Sequence, residues 1–132
     1  MTFRSIGYAR TSGGGDTKQA AGLEVQVKAL KDAGCAVVFQ EIVSTRTEEK
    51  DRHQLQAALN AVVEGDELVI TALSRLGRTQ REEINRLHDL QERGIHVRTL
   101  DGLVNTKAMG KMAPVLIGLL TGLNEVEREM TR

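Results

Sequence analysis

The chain has 132 residues, 40% of them apolar and 27% charged, a composition typical of one folded domain and not of a disordered segment. Eighteen basic residues balance eighteen acidic ones, so no global positive field attracts nucleic acid and any phosphate contact must come from a local cluster. Two Phe, one Tyr and no Trp give no platform for stacking unpaired bases, which disfavours binding of RNA or single-stranded DNA.

A single cysteine, Cys35, excludes an internal disulfide and suggests a reducing compartment. The first residues do not have the pattern of a signal peptide, and the longest apolar run, over 113–123, is too short to span a bilayer. We therefore expect a cytoplasmic protein with no membrane partner.

Segments typical of strands and helices alternate along the chain. Strands are predicted over 3–9, 36–43, 67–72 and 95–100, and helices around 23–33 and 55–62 and over 79–93. Strands separated by helices pair in parallel through right-handed crossovers. The sequence thus predicts an α/β fold with a mostly parallel central sheet of about four to five strands flanked by helices, over 1–108.

The last segment, 109–132, is predicted to be one long helix. Its apolar residues surround much of the helix axis, more than a surface helix requires, and Gly118 and Gly122 would allow a second helix to approach closely. We interpret it as a dimerisation helix; the alternative is a helix buried within its own domain. No stop signal precedes Arg132, so we expect the natural protein to continue.

Ser12 is the first candidate for chemistry, because it follows the first strand and ligands of parallel sheets bind at the carboxyl ends of the strands. A serine hydroxyl is a weak nucleophile until a base or a positive field activates it. Four arginines are predicted near the same edge of the sheet, and their planar guanidinium groups suit phosphate oxygens: Arg10, Arg52, Arg75 and Arg78. Together they favour attack by serine on a phosphodiester.

Other chemistries lack their motifs. The three histidines have no evident route to Ser12, and the Gly-x-Ser-x-Gly pattern of many serine hydrolases is missing. No spacing of His, Asp and Glu suggests a metal site, and the glycines at 13–15 fit neither nucleotide-binding pattern. We expect no cofactor, no metal and no small-molecule substrate.

The ordered set of motifs resembles the serine recombinases, the family of transposon resolvases and DNA invertases. Tyr-Ala-Arg-Thr-Ser is similar to their nucleophile motif, Leu-Ser-Arg-Leu-Gly-Arg to their second-loop motif, and shorter matches follow in order. The matched segments are 8–12, 23–30, 65–66, 73–78, 109–112 and 127–128.

The resemblance implies a site-specific recombinase in which Ser12 attacks the DNA backbone and forms a 5′-phosphoserine link. It implies that the four arginines hold the scissile phosphate, that Gln26 and Gln19 support the pocket, and that Asp66 matches a family carboxylate without an assigned role. Lys111, Glu127 and Arg128 would lie at the interface with double-stranded DNA. The family acts as a homodimer that forms a tetramer when two sites meet, and its helix-turn-helix domain normally follows the long helix.

Departures from the family's pattern are few. Ser74 stands where many members carry aspartate, the loop between Ser12 and Gln26 is longer than in compact members, and so is the stretch between Met112 and Glu127. The leading alternative is a doubly wound α/β domain that binds a phosphorylated ligand or a protein without covalent chemistry. A third hypothesis is an assembly module whose long helix is its function and whose loops are inert.

Overall fold

The computed structural model describes residues 3–11, 17–42, 53–77 and 79–130. Within these ranges four parallel strands form one sheet in the order β2-β1-β3-β4: β1 spans Ser5–Thr11, β2 Val37–Ile42, β3 Glu67–Ile70 and β4 His96–Thr99. Five α-helices are α1 Thr17–Asp32, α2 His53–Ala61, α3 Gln80–Glu92, α4 Thr106–Met109 and α5 Met112–Met130. The predicted α/β class and parallel sheet are confirmed.

The two faces of the sheet have separate cores. On one face, α1 packs through Leu23 and Leu30 against Ala9 and Val69. The other face carries the larger cluster, to which α2, α3 and α5 contribute buried side chains. The apolar positions that the 3.6-residue spacing predicted in two helices are buried: Leu55, Ala58, Leu59 and Val62 of the second helix and its end, and Ile84, Leu87 and Leu90 of the third. Ile117 of the fifth helix is buried as well.

The structure corrects two predicted boundaries. The first strand does not end at Ala9 but continues to Thr11, so that Arg10 belongs to a central strand and not to the following loop. The C-terminal helix does not begin at Met109: that residue ends the short α4, and α5 starts at Met112. The break lies at Gly110, whose φ of 57° and ψ of −127° leave the helical region, a conformation that glycine adopts without a Cβ clash.

One buried carboxylate ties the amino ends of β1 and β3 together. Asp66 is 2% exposed and accepts hydrogen bonds from the Arg4 and Val63 backbone N–H groups and from the Arg4 guanidinium, at 2.9 to 3.1 Å. Burial by itself raises the pKa of Asp66, but the bonds from Val63 and Arg4 outweigh it and hold the pKa below its ordinary value. This edge of the sheet is opposite to the carboxyl ends, so the contacts of Asp66 are structural.

Replacing Asp66 with Asn should lower the free energy of unfolding at pH 7 by about 2 kcal/mol, because a hydrogen-bonded buried charge is lost and an amide N–H faces existing donors. Urea unfolding monitored by circular dichroism measures this. A group with a lowered pKa stabilises the fold above its ordinary pKa and loses that effect in acid, so the difference between variant and parent should shrink below pH 3.8. The matched control is Asp32→Asn, which removes an exposed surface ion pair and should change the free energy of unfolding little. Equal losses of stability in the two variants would contradict the anchoring role of Asp66.

Candidate active site

The carboxyl end of β1 carries a buried arginine. Side chains alternate along the strand, so Ile6, Tyr8 and Arg10 point to the same face, and Arg10 is only 1% exposed. A guanidinium cannot be neutralised in a protein, and removing it from water is costly unless protein groups solvate it. One such group is the Ser74 carbonyl, which accepts a hydrogen bond from Arg10 Nη2 at 3.0 Å.

Gln26 of α1 holds the main chain of the same residue. Its Oε1 accepts from the Arg10 backbone N–H at 3.3 Å, and its Nε2 donates to the Arg10 carbonyl at 3.0 Å. The pairing between β1 and β3 ends at Gly7. Beyond Gly7, the side-chain amide of Gln26 makes hydrogen bonds to the backbone of β1. Gln26 was predicted to support the pocket, and it fixes the backbone two residues before Ser12.

The segment after β3 forms the second wall. The sequence predicted a loop over 73–78, whereas Leu73–Leu76 forms a 3₁₀ helix whose Leu76 is buried. Gly77 then packs on the first turn of α3: a Cβ at Gly77 would lie 2.8 Å from Glu82 Cβ and 3.0 Å from Glu83 N. Only glycine permits this approach, which fixes Arg75 and its neighbours against α3. Arg75 Nε is buried and has no hydrogen-bond partner among the residues that the structure describes.

Two features of this edge were not predicted. Glu41 of β2 accepts hydrogen bonds from Tyr8 Oη and from the backbone N–H groups of Gln54 and Leu55, so its carboxylate both joins β1 and caps α2. Thr11 is 8% exposed, and its Oγ1 has no hydrogen-bond partner among the described residues. The parallel register places Arg10 beside Glu41. The contact of Glu41 with β1 could therefore have been predicted from the sequence if the ends of both strands had been known.

The predicted site residues divide into three groups. The structure brings Arg10, Gln26 and the segment of Arg75 to one edge of the sheet. Lys111 is exposed in the turn before α5. Three predicted site residues lie outside the described residues: Ser12, Arg52 and Arg78. Three more lie in described helices, but their side chains are outside the description: Gln19, Glu127 and Arg128. Ser12 directly follows the last residue of β1, Arg78 follows Gly77, and Arg52 precedes α2.

In the described ranges, no group of three or more His, Cys, Asp or Glu side chains could hold a metal ion. None of the described helices is long and apolar enough to cross a membrane.

Comparison with known proteins decides the family. The family model described as the N-terminal domain of resolvases matches residues 5–132. The chain belongs to this family. It is 37% identical over 127 residues to the serine recombinase gin of Escherichia phage Mu, covering 95% of this chain and 60% of that protein. It is 32% identical over 128 residues to the transposon Tn3 resolvase of Escherichia coli, covering 96% and 64%.

Two solved structures show the same fold. The N-terminal catalytic domain of TP901-1 integrase matches with a TM-score of 0.71 at 18% identity, over 98% of this chain and 99% of that one. A resolvase family site-specific recombinase from Streptococcus pneumoniae matches with a TM-score of 0.66 at 16% identity, over 99% and 91%. The chain spans about 60% of the length of the curated relatives named above.

Replacing Gln26 with Ala should expose the dependence of β1 on this side chain. Two hydrogen bonds are lost and the Arg10 N–H and C=O are left without them, so we expect a loss of about 1 to 3 kcal/mol in stability and faster hydrogen exchange at the Arg10 amide. Exchange measured by NMR, together with urea unfolding, gives both quantities. Gln40→Ala, an exposed glutamine on the neighbouring strand, is the control. An Arg10 amide that exchanges equally slowly in both variants would show that Gln26 does not fix the strand.

Proposed function

We propose that this chain is the catalytic part of a site-specific DNA recombinase that cuts and rejoins DNA through a covalent link to Ser12. The observation that carries the proposal is the buried Arg10, fixed through both its main chain and its guanidinium at the end of β1, two residues before a serine. Membership of the resolvase family supports the same reaction. Because the relatives extend beyond the matched region, the activity of the whole protein is included in this proposal.

The reaction is a transesterification. The Ser12 hydroxyl oxygen attacks the phosphorus of the scissile phosphodiester, a Ser–O–P bond forms and the bond from phosphorus to the 3′ oxygen breaks. The serine proton passes to a base or to water, and the leaving 3′ oxygen takes up a proton to become a hydroxyl. A 3′-hydroxyl of another strand can reverse these steps without ATP, because each step exchanges one phosphate ester bond for another and none is hydrolysed.

The arginines would balance the charge of that reaction. Negative charge develops on the non-bridging phosphate oxygens, and fixed guanidinium groups stabilise it most where water is excluded. We assign this role to Arg10, Arg52, Arg75 and Arg78, with Gln26 and Gln19 supporting the pocket. Lys111, Glu127 and Arg128 are assigned to contacts near the DNA backbone.

Covalent trapping tests the nucleophile. The 132-residue chain, fused to a DNA-binding module of known site, is incubated with supercoiled DNA carrying that site. We expect a protein–DNA adduct at a 5′ phosphate, abolished by Ser12→Ala and retained by Ser5→Ala at the opposite end of β1. Adduct formation that survives Ser12→Ala would assign the nucleophile elsewhere. A folded fusion that occupies its site and never forms an adduct would favour the non-covalent ligand-binding or assembly alternatives.

We also propose that α5 pairs two copies of the chain. One stripe of the helix packs inward through Ala113 and Ile117, which are 1% and 2% exposed. A second stripe repeats at alternating spacings of four and three residues, the pattern of a coiled-coil seam, and is solvent-exposed in the single chain. It consists of Met112, Leu116, Leu119, Leu123, Val126 and Met130. A homodimer covers this stripe, and two dimers form the tetramer in which strands are exchanged.

Replacing Leu119 with Glu should convert the dimer to a monomer, because the change places a charge at the centre of the apolar seam without touching the inward stripe. Sedimentation equilibrium over a range of protein concentrations measures the change. Glu125→Arg, an exposed change on α5 outside the seam, is the control and should leave the association constant within a few-fold of the parent. A Leu119→Glu protein that still sediments as a dimer would exclude this stripe as the interface.

A further inference from the structure

A cavity of about 560 Å³ lies between α3, α5 and the segment after β4, and the proposed DNA chemistry makes no use of it. Its walls are mostly apolar and include Ile84 and Leu87 of α3 and Ile117 and Leu120 of α5. Leu103, which also lines it, is 73% exposed, so the cavity opens to solvent. Sites for small molecules are typically cavities of roughly 300 to 1,000 Å³ with apolar walls and a few polar groups.

The charge of the lining distinguishes this cavity from a purely apolar groove. Within the described part of the chain, the charged residues that line it are both acidic: Glu83 on α3 and Asp101 after β4. No described Lys, Arg or His lines it. Arg10 is outside the lining, and its guanidinium donates to the Ser74 carbonyl. The cavity therefore combines apolar walls with negative charge.

Glu83 is the carboxylate that a ligand would compensate most. It is partly buried, and no described residue donates a hydrogen bond to its carboxylate or forms an ion pair with it. Burial raises the pKa of Glu83, and the positive charge of Arg10 opposes that rise without reversing it. Asp101 differs, because the Thr99 side chain and the Leu103 N–H stabilise its charged form and hold its pKa below the ordinary value.

We propose that this cavity binds a small organic cation, with an ammonium or amidinium group at Glu83 and an apolar body along Ile84, Leu87 and Ile117. A carboxylate that has lost part of its water interacts more strongly with an opposite charge than a carboxylate in bulk solvent does. The apolar walls contribute a further favourable free energy for the apolar surface that they cover. Binding here does not depend on the proposed chemistry of Ser12.

A second copy of the chain is the competing occupant, since Leu116 belongs both to the exposed stripe of α5 and to the cavity wall. Every residue of that stripe is uncharged, so a second copy packed along it offers no positive group to Glu83. An organic cation complements both the apolar walls and the negative charge, whereas the stripe complements only the walls.

The test compares probes of similar size that differ in charge: phenethylammonium, phenethyl alcohol and phenylacetate. NMR titration of the 132-residue chain should show that the cation binds about three- to tenfold more tightly than the alcohol, the range expected for one nearby charge in a partly solvated site. The anion should bind most weakly. Chemical shifts should change at the amides of Ile84, Val104 and Leu120, which line the cavity. Equal affinities for cation and alcohol, or shift changes confined to other surfaces, overturn the proposal.

Variants locate the charge that recognises the cation. Glu83→Gln should lower the affinity for phenethylammonium by the same factor and leave that for phenethyl alcohol unchanged. Glu92→Gln, the same charge change at the exposed end of α3, should alter neither affinity. An unchanged affinity for the cation in a folded Glu83→Gln chain contradicts the assignment. If that variant does not fold, the comparison of probes in the parent decides.

Two controls separate this site from the proposed function. Ser12→Ala should bind all the probes as the parent does, so a failure of the recombinase proposal leaves the cation site intact. The affinity for phenethylammonium should be the same at protein concentrations below and above those at which the chain dimerises. Loss of cation binding on dimerisation would assign the cavity to the second copy and overturn the proposal.

Discussion

The buried guanidinium of Arg10 is the group on which the carboxyl edge of the sheet depends. A permanent charge that is 1% exposed needs protein groups in place of water, and the chain supplies them from separate elements. Gln26 fixes its backbone from α1, and Ser74 accepts from its side chain at the start of the 3₁₀ segment. That segment can approach only because Gly77 packs against α3. Ser74 thus contacts the charged group of Arg10, whereas Gln26 fixes the main chain of the same residue independently of the charge.

The two edges of the sheet use charge differently. At the amino edge, Arg4 with Asp66 and Arg98 with Glu67 form ion pairs within 3.1 Å, each supplemented by further hydrogen bonds. At the carboxyl edge, Thr11 Oγ1 and Arg75 Nε are buried without partners among the described residues. A buried polar atom without a hydrogen-bond partner costs stability, so a ligand that supplied acceptors to Thr11 and Arg75 would stabilise this edge. A phosphodiester, with its negative charge and its acceptor oxygens, has the chemistry to satisfy such groups.

The sequence predicted the fold well because its signals are periodic. Apolar spacing located the helices packed on the larger core, and short β-branched runs located all four strands within a few residues. Predictions failed where the outcome depends on contacts distant in sequence. Arg10 was predicted to lie in the loop after the first strand, and its burial depends on contacts with residues distant in sequence, among them the Ser74 carbonyl.

The position of α5 connects assembly to the site. Leu116 belongs both to the exposed stripe of that helix and to the wall of the cavity that Glu83 lines. A second copy packed along the stripe would therefore cover part of the cavity and remove water from it. Removal of water strengthens the interaction between charged groups at its border, because the local dielectric constant falls. The helix proposed to pair two copies would thus strengthen the attraction between the Arg10 guanidinium and a phosphate, so that affinity for phosphate would rise with assembly without any movement of Arg10 itself.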